Sequence, residues 1–275
     1  MKGKKLLRTG VPAVLVCAVL AASFSLYRTL ADKGPEDILT SSLPEGEKAP
    51  QSTGTNTGST SQANSITTAA DSPLILDVPY VSQEGLLPTG CETVSAVMLV
   101  QHYGMDINVH EFIDRCLKCS DFWYEDGMLT NVSPTEAFIG DPYQADGLGC
   151  YAPVMVDALN AFFEEKAYAF RAVNTTGTSL EELCSRYLVQ EDPVMVWASR
   201  QMNPFRDGMT WKLSGREETF SWLSNEHCLV LVGYDDESYY FNDPDRSAGL
   251  VNYEKALVNE RFQQLGMQSV VLQSA

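Results

Sequence analysis

Apolar residues fall along this chain in three regimes, and each regime implies a different physical state. From Thr9 to Tyr27 nineteen residues pass without a charge, most of them apolar. From Ala31 to Asp71 Ser, Thr, Gly, Pro and Asn dominate, as in "APQSTGTNTGSTSQANSITTAADSP". From residue 72 onward the apolar positions recur with the periods of secondary structure. "LILDVPYVSQ" reads as a strand, and a helix is predicted from about Gly90 to Tyr103, with Val94, Val97, Met98 and Gln101 on one face and Gly104 as its stop. A second helix is predicted over Asn108 to Leu117. "SPTEAFIG" carries Ser133 at an N-cap, Pro134 at the first helical position and Glu136 as capping-box partner. "YAPVMVDALNAFFEEK" and "TSLEELCSRYLV" are amphipathic helices, the latter with Ser179 and Glu182 in capping-box spacing. Thereafter "PVMVWAS", "HCLVLVGYD", "SYYFND" and "QSVVLQ" are short β-branched and aromatic runs bounded by turn residues, interrupted by a helix in "NYEKALVNERFQQLG". Helices first and strands later is the order of an α+β domain with a mainly antiparallel sheet. Residues 199 to 224 fit no element and suit a long loop or hairpin over a cleft.

The first regime, residues 1–30, is an N-terminal signal or membrane anchor. Lys2, Lys4, Lys5 and Arg8 precede the apolar run, whose length just spans a bilayer. A cleaved secretory signal is the alternative, with Ala21, Ala22 and Ser23 as a small-residue site, but the apolar run continues past them through Tyr27. Both readings export residues 72–275, as a cell-membrane protein with one span and an extracellular domain or as a secreted one. Residues 31–71 hold too few large apolar side chains to offset their own chain entropy, so they are predicted to be a disordered linker.

Charge narrows the partners. Residues 72–275 carry 12 basic and 30 acidic groups, a balance of −18, which disfavours nucleic acid and favours cationic or neutral partners. Cysteine adds less. Setting aside Cys17 in the apolar run and Cys91, the remaining Cys116, Cys119, Cys150, Cys184 and Cys228 are odd in number, and they are read as small buried hydrophobes. "CLKC" has no second ligand pair at metal-site spacing, and no metal or organic cofactor is expected.

Candidate chemistry centres on "EGLLPTGCETVSAVMLVQHYG". Thr89 and Glu92 stand in T-x-x-E spacing, which would place Cys91 in the first helical turn, where the helix dipole favours a thiolate. Gly90 beside it would allow a backbone or substrate to come close. Of three histidines, His102 is about three turns from the sulfur and His110 lies beside a helix, leaving His227 as the candidate base. Asp243, sixteen residues later in "YYFNDPD", could reach the far imidazole nitrogen from an adjacent antiparallel strand. Gln83 offers an uncharged N–H donor for an oxyanion.

The segments "VPYVSQEGLLPTGCETVSAVMLVQHYG", "GDPYQADGLGCYAPVMVDALN" and "NEHCLVLVGYDDESYYFNDPD", in that order, resemble the C39-like cysteine peptidase family of the papain-like superfamily. The resemblance implies a papain-like fold, with a helical half carrying Cys91 as nucleophile and a sheet half carrying His227 as base and acid and Asp243 as its orienting residue. Gln83 would be the oxyanion donor, and the substrate a peptide or protein. The family's transporter-linked members trim double-glycine leader peptides, but this chain has no Walker-type phosphate loop and no multi-span region, so that substrate does not carry over. Two rivals share the fold: a non-catalytic peptide-binding or adhesion module, with Trp197, Trp211 and Trp222 lining the cleft, and a transpeptidase-like acyl transferase.

Overall fold

A computed structural model describes residues 72–246 and 249–275. The predicted anchor (1–30) and linker (31–71) lie outside these residues. Among the described residues no helix is long and apolar enough to cross a membrane.

The described chain opens with β1 (Leu74–Ile75), α1 (Cys91–His102) and α2 (Val109–Cys116). Short strands follow, β2 (Cys119–Ser120), β3 (Trp123–Glu125), β4 (Met128–Asn131) and β5 (Phe138–Ile139), and then α3 (Ala152–Lys166), β6 (Phe170–Asn174) and α4 (Leu180–Arg186). The second half contains β7 (Val194–Ser199), β8 (Arg206–Leu213), β9 (Thr219–Ser224), β10 (Glu226–Tyr234), β11 (Ser238–Asn242), β12 (Leu250–Glu254), α5 (Lys255–Gln264) and β13 (Ser269–Ser274). The α+β order holds.

The main sheet runs β12-β11-β10-β7-β13-β6, with β1 paired to the far end of β10, and each of these pairings is antiparallel. Its central strands are apolar on both faces because both faces are covered. Trp197, Cys228, Val230 and Val232 join the core beneath α1 and α3, while Val196, Leu229, Leu231 and Phe241 join the core against α4 and α5. Helix α1 is the hub. Every residue from Cys91 to Val100 is buried, so it is apolar around most of its circumference instead of striped. Ser95 Oγ at mid-helix donates to the Cys228 carbonyl at 3.2 Å, which ties α1 to β10.

Local signals explain the helix ends that the sequence predicted. Asn108 Oδ1 accepts the His110 and Glu111 N–H groups at the start of α2, and Ser179 Oγ accepts that of Glu182 at the start of α4. Ser133 and Glu136 also bond as expected, Ser133 N–H donating to the Glu136 carboxylate at 3.0 Å, yet no helix follows. The chain turns once and enters β5, because Ala137, Phe138 and Ile139 are consecutively buried and a strand buries both of its faces there. "NYE" belongs to strand β12 and not to the helix predicted over it, which begins at Lys255.

The segment 199–224 is a hairpin, β8–β9. It joins β3 and β4, strands the sequence did not announce, in a four-stranded sheet of order β3-β4-β8-β9. Two of the predicted cleft tryptophans are core residues instead. Trp197 is 0% exposed with its indole N–H on the Cys150 carbonyl at 2.8 Å, and Trp211 is 1% exposed with its N–H on the Val132 carbonyl at 3.0 Å. Buried indoles need such acceptors, and the loops running under both rings supply them. Cysteines 150, 184 and 228 are buried as expected, whereas Cys116 is half-buried and Cys119 exposed, and all are free thiols.

Candidate active site

Cys91 is the first residue of α1, and Gly90 is its N-cap without any side-chain cap. The capping box expected between Thr89 and Glu92 does not form. Thr89 donates instead to the Gln144 carbonyl at 3.0 Å, and Glu92, 0% exposed, turns its carboxylate into the interior. There Oε1 accepts the Cys150 N–H at 2.7 Å and Oε2 accepts the Cys91 thiol at 3.3 Å. A carboxylate buried this deeply must collect donors from the core, and these two outcompete the helix start. Nor is Gly90 an approach point for substrate, since a Cβ there would lie 2.5 Å from Leu87 Cδ1 and 2.9 Å from Thr93 Oγ1.

The same surroundings work against the thiolate expected from the helix dipole. Burial, followed by the Glu92 and Glu226 charges, pushes the Cys91 thiol well above its ordinary range. Burial likewise pushes Glu92 up to about 7, and burial together with the nearby Glu92 charge pushes Glu226 well up, against a partial counter-effect of Arg200. A half-charge at the end of a helix is a small term beside two carboxylates in a dry pocket.

Across the sheet, His227 near the start of β10 is 1% exposed, and its Nε2 pairs with Asp243 Oδ1 at 2.7 Å. Strand register makes this pair. Val230 of β10 stands opposite Asn242 of β11, so Asp243, one residue beyond, comes beside Leu229 and faces back toward the strand's beginning. Asp243 Oδ1 also accepts the Asp245 N–H at 2.9 Å, so its turn chemistry and its hold on His227 use one oxygen. Burial alone would raise this carboxyl, but the hydrogen bond and charge of His227 outweigh it and hold the group below its usual range.

Gln83 is 4% exposed and fixed by its backbone, which donates to the Pro244 carbonyl at 2.8 Å and accepts from Leu86 and Leu87. Among the described residues its side-chain Oε1 has no partner. Gln83 and Cys91 line one cleft of about 190 Å³ together with Leu148, Arg200, Trp222 and Glu226. The four predicted residues therefore fall into two groups. Gln83 and Cys91 share the cleft wall and His227 and Asp243 are bonded to each other, but among the described residues no hydrogen bond joins the thiol to His227.

Trp222 lines the cleft as expected, whereas Glu226, Arg200 and the thiol-accepting role of Glu92 were not foreseen. A signal existed for two of them, because Glu92 directly follows the candidate nucleophile and Glu226 directly precedes the candidate base. Cys91, Glu92 and Glu226 also place one metal-ligand atom each within 4.8 Å of one another.

The model of the Peptidase_C39 like family matches residues 75–270. The uncharacterized protein YvpB of Bacillus subtilis (strain 168) is 27% identical over 219 residues, covering 78% of this chain and 81% of its own. A crystal structure from Bacillus anthracis assigned to the C39-like peptidases is 29% identical, covers 74% of this chain and 99% of its own, and superposes with a TM-score of 0.63. A double glycine motif protease from an AMS/PCAT transporter, solved with its leader peptide, is 14% identical over 73% of this chain and 94% of its own. Its TM-score of 0.39 is too slight a likeness to carry a substrate across.

Proposed function

The chain belongs to the C39-like peptidase family, and from that premise we propose that it is a cysteine peptidase in which Cys91 is the nucleophile and His227, oriented by Asp243, is the general base and acid. The observation that carries this reading is the buried His227–Asp243 pair at 2.7 Å beside a cleft whose wall holds a cysteine at a helix start and a buried glutamine. Asp243 accepts a hydrogen bond from Nε2–H, which fixes the tautomer with Nδ1 unprotonated and able to receive a proton. In the first step the thiol turns from Glu92 to His227, gives up its proton and attacks the substrate carbonyl. The Gln83 amide and the Cys91 N–H hold the resulting oxyanion. The imidazolium then protonates the leaving amine, and water, deprotonated by His227, releases the acyl group.

The substrate in this reading is a peptide or protein, cationic or neutral, met outside the cytoplasm by a domain tethered through residues 1–71. The hairpin β8–β9 brings Trp222 and Ser224 to the cleft and is the element expected to set specificity. One observation favours a second reading, a cleft that binds peptides without turnover: the thiol is bonded to Glu92 and pushed toward its neutral form. The test is cleavage of a mixed peptide library by the full chain and by Cys91→Ala. Products that vanish in the variant support the hydrolase. Binding by both proteins without products supports the second reading.

A further inference from the structure

We propose that Cys91, Glu92 and Glu226 form a binding site for a zinc-class divalent cation that caps the nucleophile. The donor set comes first. A thiolate with two carboxylates suits a borderline-soft ion that takes sulfur and oxygen together, whereas magnesium and calcium call for oxygen alone.

Geometry supports the same class. A tetrahedral ion with Zn–S of about 2.3 Å and Zn–O of about 2.0 Å spans an S···O edge of about 3.5 Å. Cys91 Sγ and Glu92 Oε2 stand 3.3 Å apart, and the Glu226 carboxylate completes a set lying within 4.8 Å. The Cys150 N–H occupies Glu92 Oε1 at 2.7 Å, which fixes the carboxylate and directs Oε2 toward the sulfur, as an outer-shell donor does in metal sites.

Glu226 supplies an independent observation. Its Oε1 is shielded from solvent and has no hydrogen-bond partner among the described residues. The nearby cation Arg200 is engaged elsewhere, with Nε on Asp245 at 3.0 Å. Gly149 keeps room for both acids, because a Cβ there would collide with the Glu92 carboxylate and lie 3.2 Å from Glu226 Oε2. Cys91 and Glu226 both line the cleft, which provides an entry path and space for a fourth ligand such as water.

On binding, the thiol and the protonated fraction of the Glu92 and Glu226 carboxyls give up their protons to solvent and a metal–thiolate bond forms, so the sulfur lone pair needed for attack is occupied until a chelator removes the ion. That inhibitory consequence rests on the hydrolase reading, but the binding site does not.

The test is a Co²⁺ titration of the purified, chelator-stripped full chain, following the thiolate-to-cobalt charge-transfer band. A saturable band displaced by Zn²⁺ is expected. It should be lost in Cys91→Ser, weakened at least about 10-fold in affinity in Glu226→Gln, and unchanged in Cys116→Ser/Cys119→Ser and in His227→Ala. Glu92→Gln should weaken it as Glu226→Gln does, and circular dichroism of both variants confirms that the comparison is between folded chains. No band, an unchanged affinity in Glu226→Gln, or a band that follows Cys116 and Cys119 overturns the site. A chain that shows the band but cleaves nothing once a chelator has removed the ion would sink the hydrolase reading alone.

Discussion

Two acids stand on either side of the same short stretch of β10, and their surroundings drive them in opposite directions. Asp243 has a histidine and a backbone N–H on one oxygen, and it is held below its usual range despite its burial. Glu226 has another acid, Glu92, as its neighbour and one oxygen without a partner, and it is pushed well up. Burial is common to both, so the partner decides the charge state. The wall holding Asp243 sets an acid against a base, although Asp243 Oδ2, like Glu226 Oε1, is buried without a partner among the described residues. The wall holding Glu226 sets acid against acid, and the thiol belongs to that second wall.

Removing the partner breaks the comparison most severely. In His227→Ala, Asp243 becomes a buried acid without compensation, and hydrolysis should fall about 10²- to 10⁴-fold. Stability should fall by about 3 kcal/mol, since one member of a buried pair is left alone. The sign of the pH effect follows from the lowered Asp243 carboxyl. Its contribution is present above its unfolded value of about 3.8 and is lost as pH falls through the lower folded value. His227→Ala should therefore unfold at a higher pH than the parent in an acid titration followed by circular dichroism, and superimposable acid transitions would contradict the pairing. Gln83→Ala leaves both walls intact and removes the amide between them. A loss of about 10²- to 10³-fold in kcat is expected with little change in melting temperature, and an unaltered kcat would remove Gln83 from the site.

A smaller effect sharpens the comparison from the other wall. Glu226→Gln removes an acid that adds negative charge near the sulfur as pH rises, so the thiol should ionise at lower pH. Alkylation of Cys91 at pH 9, with chelator present, should become several-fold faster. If Glu226→Gln alkylates no faster, the charge attributed to that wall is not felt at the sulfur.

The sequence carried the paired wall further than the unpaired one. His227 and Asp243 sit in strand-forming runs separated by a turn, and strand register brings such residues together predictably. Cys91 at a helix start was equally legible. The fate of its thiol was not, because it depends on Glu92 turning inward to meet Cys150 and on Glu226 arriving from a strand 134 positions beyond Glu92. T-x-x-E spacing is a local rule, and here a buried tertiary contact overrides it. The strands β3 and β4 were missed for a similar reason. They are short, largely exposed on β3, and join β8 by a pairing that no local pattern records. Trp197 and Trp211 looked like cleft residues by type, but the carbonyls that accept their indole protons are set by loops distant in sequence.

The central claim is that Cys91, although bonded to Glu92, works with His227. The most direct measurement is the rate of Cys91 alkylation by iodoacetamide in the full chain at pH 7, read by peptide mass spectrometry with chelator present, in the parent and in His227→Ala. The parent should react about 10-fold faster than the variant, because only the parent can form a thiolate–imidazolium pair. Equal rates in the two proteins would mean that the thiol never meets His227, and the cleft would then be a binding site without a nucleophile.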